Sequence, residues 1–203
     1  MNTPTIKIST LTGKLAGFQA INTNTLSNDF CSKMQKTNAV CSKCYSAAML
    51  RGIRKNCVKP WQHNSDILSG AVLPLDSLPV INAHSFRYHA HGELINYKHL
   101  VNLVNIAVVN PHTTFALWTK RKDIVARYVS RYCIPDNLVM IFSNASTSRV
   151  LNKVPVNFDK VFNASESGTI KPGQTECTAK SCIDCMACYR KDNGHTIIVE
   201  KLK

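Results

Sequence analysis

The sequence predicts an α/β protein with a mainly parallel sheet or an incomplete (β/α) barrel, and cysteine-rich metal-binding segments near both ends. Three observations predict it. Apolar runs of strand length alternate with amphipathic runs of helical spacing through the middle of the chain, the pattern of consecutive βαβ units. Leu138-Val-Met-Ile-Phe142 is continuously apolar, as in a strand covered on both faces. The chain has 203 residues, short of the roughly 250 of a full eightfold barrel, which leaves room for about five or six such strands.

Taken in order, Ile6-Lys-Ile8 reads as a short strand, while the stretch to Phe18 lacks a sustained period and reads as irregular. Ser46 to Asn56 is rich in helix formers. Pro60 can open a second helix through Leu68, closed by Gly70. Val80 to His89 reads as a strand broken by Gly92. From Glu93 to Val109 apolar residues recur at Leu94, Tyr97, Leu100, Val101, Val104 and Val108, the spacing of a helix, and Pro111 ends it. Thr113 to Trp118 is the next strand and Asp123 to Tyr132 the next helix. After the apolar strand at 138–142 follow a short helical piece at Ser148 to Asn152 and two strands, Val161 to Ala164 and His195 to Glu200. No linker or repeat divides the chain, so residues 1–203 read as a single domain with metal-binding segments at 31–57 and 177–188.

Hydrophobic content of 44% and charged content of 18% exclude a disordered chain. No apolar run approaches the ~18 residues that a membrane span needs. The first residues lack a basic stretch followed by an apolar block, so a cytoplasmic location is expected. The net charge of +13 favours a polyanionic partner, either nucleic acid or a phosphorylated ligand.

Nine cysteines stand out. In a chain without an export signal they point to metal more than to disulfides. Cys177, Cys182, Cys185 and Cys188 are spaced C-x4-C-x2-C-x2-C, close to ferredoxin-type ligand runs without completing one. Cys41 and Cys44 form a further C-x2-C pair flanked by Cys31 and Cys57. The two groups can each hold a centre, or can mix their ligands and pin the two ends of the chain together. Overlapping C-x2-C steps strain three ligands onto one zinc and suit a cubane better, so an iron–sulfur cluster of the [4Fe-4S] type is expected, with zinc the alternative. The C-x3-C-x2-C run of radical S-adenosylmethionine enzymes is absent. Cys133, after an amphipathic helix, reads as a small buried hydrophobe.

In parallel α/β folds the working residues lie past the carboxyl ends of the strands. Those positions hold Arg87 to Glu93, Thr119 to Arg121, Ser143 to Ser146 and Asn163 to Gly168. Arg87 and His89, two apart, are expected on one strand face, Arg87 to clamp a carboxylate or phosphate and His89 for acid–base work. Lys120 is a candidate to neutralise phosphate. Glu93 completes the candidate catalytic set, with capping of the following helix as its plainer role.

The chain resembles a bacteriophage-associated family, the gene product 88 family. The resemblance lies in Cys31…Cys41-x2-Cys44-Tyr45, Phe86-Arg87-Tyr88-His89-Ala90-His91-Gly92-Glu93, Leu117-Trp118-Thr119-Lys120 and Cys177…Cys182-x2-Cys185-x2-Cys188. Family members often carry Ser before the glycine and Asp after it, where this chain has His91 and Glu93. The resemblance implies a phage-type iron–sulfur protein and carries no activity onto particular residues. The function expected is therefore an iron–sulfur protein, redox-active or catalytic on a phosphorylated or nucleic-acid substrate. The alternative is a zinc-stapled, non-catalytic nucleic-acid-binding module.

Overall fold

The chain opens with a hairpin. Ile8–Thr10 (β1) and Gln19–Ile21 (β2) run antiparallel, with Ile8 opposite Ile21 and Thr10 opposite Gln19. Gly17 enters β2 at φ 91°, a backbone region that glycine occupies without a Cβ penalty. The structure, a computed structural model, describes residues 5–167 and 169–202. From β2 onward every strand neighbour is parallel: Ser85–Tyr88 (β3), Thr114–Thr119 (β4), Leu138–Ser143 (β5) and Lys160–Ser165 (β6), then Ile197–Lys201 (β8) with Thr175–Glu176 (β7) outermost. The eight-stranded order is β1-β2-β3-β4-β5-β6-β8-β7. Strands are laid down in chain order as far as β6, so all the parallel carboxyl ends share one rim.

Among the described residues six helices accompany the sheet: Asp29–Met34 (α1), Tyr45–Arg51 (α2), Val58–Gly70 (α3), Tyr97–Val109 (α4), Lys122–Val129 (α5) and Cys182–Cys185 (α6). Side chains two apart along a strand face the same way, and the two faces build two cores. On one face Phe86, Tyr88, Phe115, Leu117, Leu138 and Met140 pack with Leu68 of α3, Leu100 and Leu103 of α4, and Ile124 and Val125 of α5. On the other, Ala20, Ala116, Trp118, Val139 and Ile141 meet Leu11, Phe18 and Tyr189. That second face has no long helix over it. The β1–β2 turn and the closing cysteine loop cover it, with the Phe18 and Tyr189 rings stacked at 4.4 Å. β4 and β5, buried on both sides, are the strands the sequence marks most clearly.

Several expectations shift, each for a local reason. The strand expected over Val80 to His89 contracts to Ser85–Tyr88. Ile81 instead donates its N–H to Asn110 Oδ1 at 2.7 Å and gives its carbonyl to Thr113 Oγ1, so no ladder forms there. The helix expected from Glu93 starts at Tyr97, because the Asn96 side chain caps it by accepting from the His99 N–H. Ser148 to Asn152 is not helical. Asn144 and Asn163 take its backbone groups at Arg149 and Leu151, and Ser146 Oγ takes the Arg149 N–H, an alternative that outcompetes a helical turn. The short strand expected at Ile6 to Ile8 begins only at Ile8 and runs to Thr10 as β1, into the stretch read as irregular. The sequence also left β2, β7, α1 and α6 unread, all elements of two to six residues. The Ser46–Asn56 helix stops at Arg51, and a 3-10 turn carries the chain on to Cys57.

Candidate metal centres and the strand-end site

Each cysteine group is assembled by a short turn. In the carboxy-terminal one, Ser181 leads into the single turn of α6, and Met186 closes it in the left-handed region at φ 52°. That reversal folds Cys188 back toward Cys182. Burial pushes the Cys188 thiol up to about 12, opposed by Arg87 and reinforced by Cys177, Cys182 and Cys185. Cys182 is raised in the same way, with Lys14 and Arg87 opposing. Lys14 Nζ lies 3.2 Å from Cys177 Sγ. Four thiols therefore share one neighbourhood with two cations, and this loop lies against the open face of the sheet.

The amino-terminal group gathers three. Asn28 caps α1 by accepting from the Phe30 and Cys31 N–H groups, and its amide donates to the Glu93 carbonyl at 3.1 Å. The 3-10 turn Val40–Lys43 is fastened to the strand-end rim by the Val40 N–H, 2.8 Å from the Ala145 carbonyl. Burial, then Glu93, Cys41 and Cys44, push the Cys31 thiol upward, while Lys120 pulls it down. Burial also raises Cys41, against Lys120. Cys57 contributes to neither and donates to Asn56 Oδ1 at 3.6 Å. Neither set of neighbours includes a cysteine of the other group. Cys133, expected to be buried, is exposed beyond the end of α5.

All nine cysteines are free thiols. Among the described residues no three His, Cys, Asp or Glu side chains converge tightly enough to hold an ion as they stand. The donor set nonetheless suits a soft metal centre, since thiolate sulfur is the ligand that such ions prefer. Burial raises the thiols of Cys31, Cys41, Cys182 and Cys188, and Lys14, Arg87 and Lys120 stand close enough to oppose that rise.

Arg87 sits on the open face of β3. Its guanidinium lies 3.8 Å over the Trp118 ring, and its buried Nε has no hydrogen-bond partner. Burial opposes its charge, and Tyr189, Tyr45 and Cys188 more than offset that, keeping it protonated. His89 does not share that face. It lies one residue beyond β3 at φ 59°, and its ring turns to α4, with Nε2 3.4 Å from His99 Nε2. The two-residue alternation fails because the strand has already ended. The Ile95 N–H donates to His99 Nδ1 at 3.2 Å, which assigns the His99 proton to Nε2 and makes His89 Nε2 an acceptor. His89 Nδ1 is then a buried donor without a partner. Burial, then Arg87, takes His89 down to about 3, and burial with His89 takes His99 well below its usual value.

Glu93 is not a helix cap. Buried, it accepts from the Leu94 N–H at 2.8 Å, the Lys120 N–H at 2.9 Å and the Thr119 hydroxyl, locking the β3–α4 loop to the end of β4. Lys120 Nζ reaches across to Ser143 Oγ at 2.9 Å. The four candidate residues therefore share the rim, but Glu93 and Lys120 already have partners while Arg87 and His89 retain unmade bonds.

Three further buried polar groups, unnoticed in the sequence, lack hydrogen-bond partners at good geometry: Asn22 Nδ2, Thr23 Oγ1 and the Tyr189 hydroxyl, the last beside Arg87 on the open face. Asn22 and Thr23 directly follow β2, beside β3. The one signal for them is the run Asn22-Thr-Asn-Thr25, four uncharged polar residues directly after an apolar strand and all buried.

A mostly parallel, eight-stranded α/β sheet with cysteine groups at its rim and on its open face defines the class of protein. Within that class, the chain belongs to the Gene product 88 family, whose family model matches residues 4–196. No curated protein and no solved structure matches it. Among the described residues no helix is long and apolar enough to cross a membrane.

Proposed function

We propose that this chain is a phage-type iron–sulfur protein of partial-barrel architecture, working in the host cytoplasm on a phosphorylated or nucleic-acid substrate at its strand-end rim. The observation that carries this reading is the gathering of Cys177, Cys182, Cys185 and Cys188 around α6, with Lys14 and Arg87 beside them. These four would hold a cluster of the [4Fe-4S] type. Cys31, Cys41 and Cys44 would supply three ligands to a second centre at the rim, near Glu93 and Lys120. A cluster supplies one-electron chemistry when bound. The chain's own residues do the rest. Arg87 offsets thiolate charge, and Glu93 fixes the loop that carries His89. The unpartnered polar groups of Asn22, Thr23 and His89 would be satisfied by the oxygens of an anionic substrate group.

The runner-up, a zinc-stapled module that binds nucleic acid without catalysis, draws on the chain's +13 charge. Anaerobic purification followed by an optical spectrum and iron, sulfide and zinc analysis separates the two. A brown protein with matching iron and sulfide is expected. A colourless, zinc-loaded one would falsify the iron–sulfur reading.

A further inference from the structure

The positive charge is unevenly placed. Between Phe30 and Ser65 the chain carries seven lysines and arginines and no aspartate or glutamate, so that stretch holds seven of the thirteen net charges. Lys33, Lys36, Lys43, Arg51, Lys55 and Lys59 are all exposed. Among the described residues none of the segment's cations makes an ion pair. The segment folds back on itself, since Arg51 Nη2 meets Gln35 Oε1 at 3.5 Å, bringing the ends of α1 and α2 together. It is anchored at the rim through Val40 to Ala145 and through Asn28 to Glu93. Two apolar side chains stand out among these cations: Tyr45, 58% exposed with its hydroxyl held by the Ala90 carbonyl, and Ile53, 85% exposed.

We propose that this segment is a nucleic-acid-binding surface, which lays the phosphate backbone across the rim beside Cys31, Cys41 and Cys44. Unpaired cations free of nearby carboxylates gain by releasing the counterions condensed on a nucleic acid. A fixed, exposed tyrosine among them offers a face for a base to stack on. An acid-free, unpaired cluster does little for stability, because like charges repel and no partner offsets them. The inference rests on the nucleic-acid partner of the reading above and is independent of which metal is bound.

The test is binding of a fluorescent single-stranded oligonucleotide and its matching duplex across a series of salt concentrations, using the full chain as purified. The variant K33Q/K36Q/K43Q is compared with K153Q/K171Q/K180Q, which removes equal charge from exposed lysines elsewhere. Expected is a loss of tenfold or more for the first variant at low salt, with the slope of log affinity against log salt reduced by about two to three. The second variant is expected to stay near wild type, and both are expected to melt as wild type does. Equal losses in the two variants would overturn the surface while leaving a nucleic-acid partner in place. A wild-type protein that binds neither probe would overturn both. Competition by polyglutamate as effective as that by nucleic acid would reduce the segment to a general polyanion trap and also count against the proposal.

Discussion

At the scale of single residues, the rim is governed by which side chains still have bonds to make. Glu93 has none to spare, with three donors on one buried carboxyl group. Replacing it with Gln puts an NH2 group where one of those donors points, so Glu93→Gln should lower stability by about 2 kcal/mol. The urea midpoint reads this, with an unchanged slope showing that the fold persists. His89 yields a pH prediction. Its folded value, about 3, lies below the unfolded 6.5, so the unfolded chain binds the extra proton between those limits. Stability from this group is therefore complete above about pH 6.5 and falls as pH drops toward 3. His89→Asn, tolerable at a left-handed φ, should flatten the decline in stability by about 1.4 kcal/mol per pH unit inside that window. Denaturant midpoints taken from pH 7 down to 4.5 decide it, and parallel curves for the two proteins would show that His89 is not the neutral group described here. Arg87, His89, Glu93 and Lys120 were all legible in the sequence as rim residues. Their division into spent and unspent groups was not, because a hydrogen-bond partner on another strand leaves no trace in local spacing.

At the scale of elements, long periodic segments are legible in the sequence, while several of the shortest elements are not. α4 and β5 carry enough apolar repeats to declare themselves, whereas β2 and α6 hold three and four residues. Such short pieces exist because their neighbours hold them: β2 sits between β1 and β3, and α6 packs under the β1–β2 turn. There a Cβ on Gly17 would come within 2.8 Å of Ile183 Cδ1. The loop after β3 is the tightest junction. At Gly92, φ is 111° and a Cβ would fall 2.1 Å from Thr23 Oγ1 and 2.9 Å from the Thr23 carbonyl oxygen. Gly92→Ala combines backbone strain with a clash against fixed backbone, so it should cost about 3 kcal/mol or more. The expected result is a protein recovered mainly as insoluble material, or one melting well below wild type; a near-normal melting curve would disprove this packing.

At the scale of the whole molecule, the chain's two ends are brought to different places on one sheet. The closing cysteines cover the open face, and Cys31, Cys41 and Cys44 stand over the strand-end rim. On the iron–sulfur reading proposed above, that arrangement favours two separate centres over one shared between the ends. In anaerobically prepared protein, Cys188→Ser and Cys41→Ser should therefore each remove only part of the bound metal, and the double variant should remove nearly all of it. Cys57→Ser and Cys133→Ser should leave it unchanged. Metal per chain, measured beside thermal melting, checks this, and complete loss from either single variant would point to one shared centre.

The sequence by itself determined the α/β class, the parallel sheet, the single run of elements and the cysteine groups. Apolar periodicity and ligand spacing are local, and both are written in neighbouring residues. Only the tertiary structure decided that Cys57 stands apart from the other three, that His89 faces α4 while Arg87 faces the closing loop, and that Asn22, Thr23 and Tyr189 leave unmet donors beside them. Each of those depends on a residue from a distant strand or loop arriving at hydrogen-bonding or charge-interaction range. Such meetings are set by the order in which parallel strands stack, which is a property of the folded sheet.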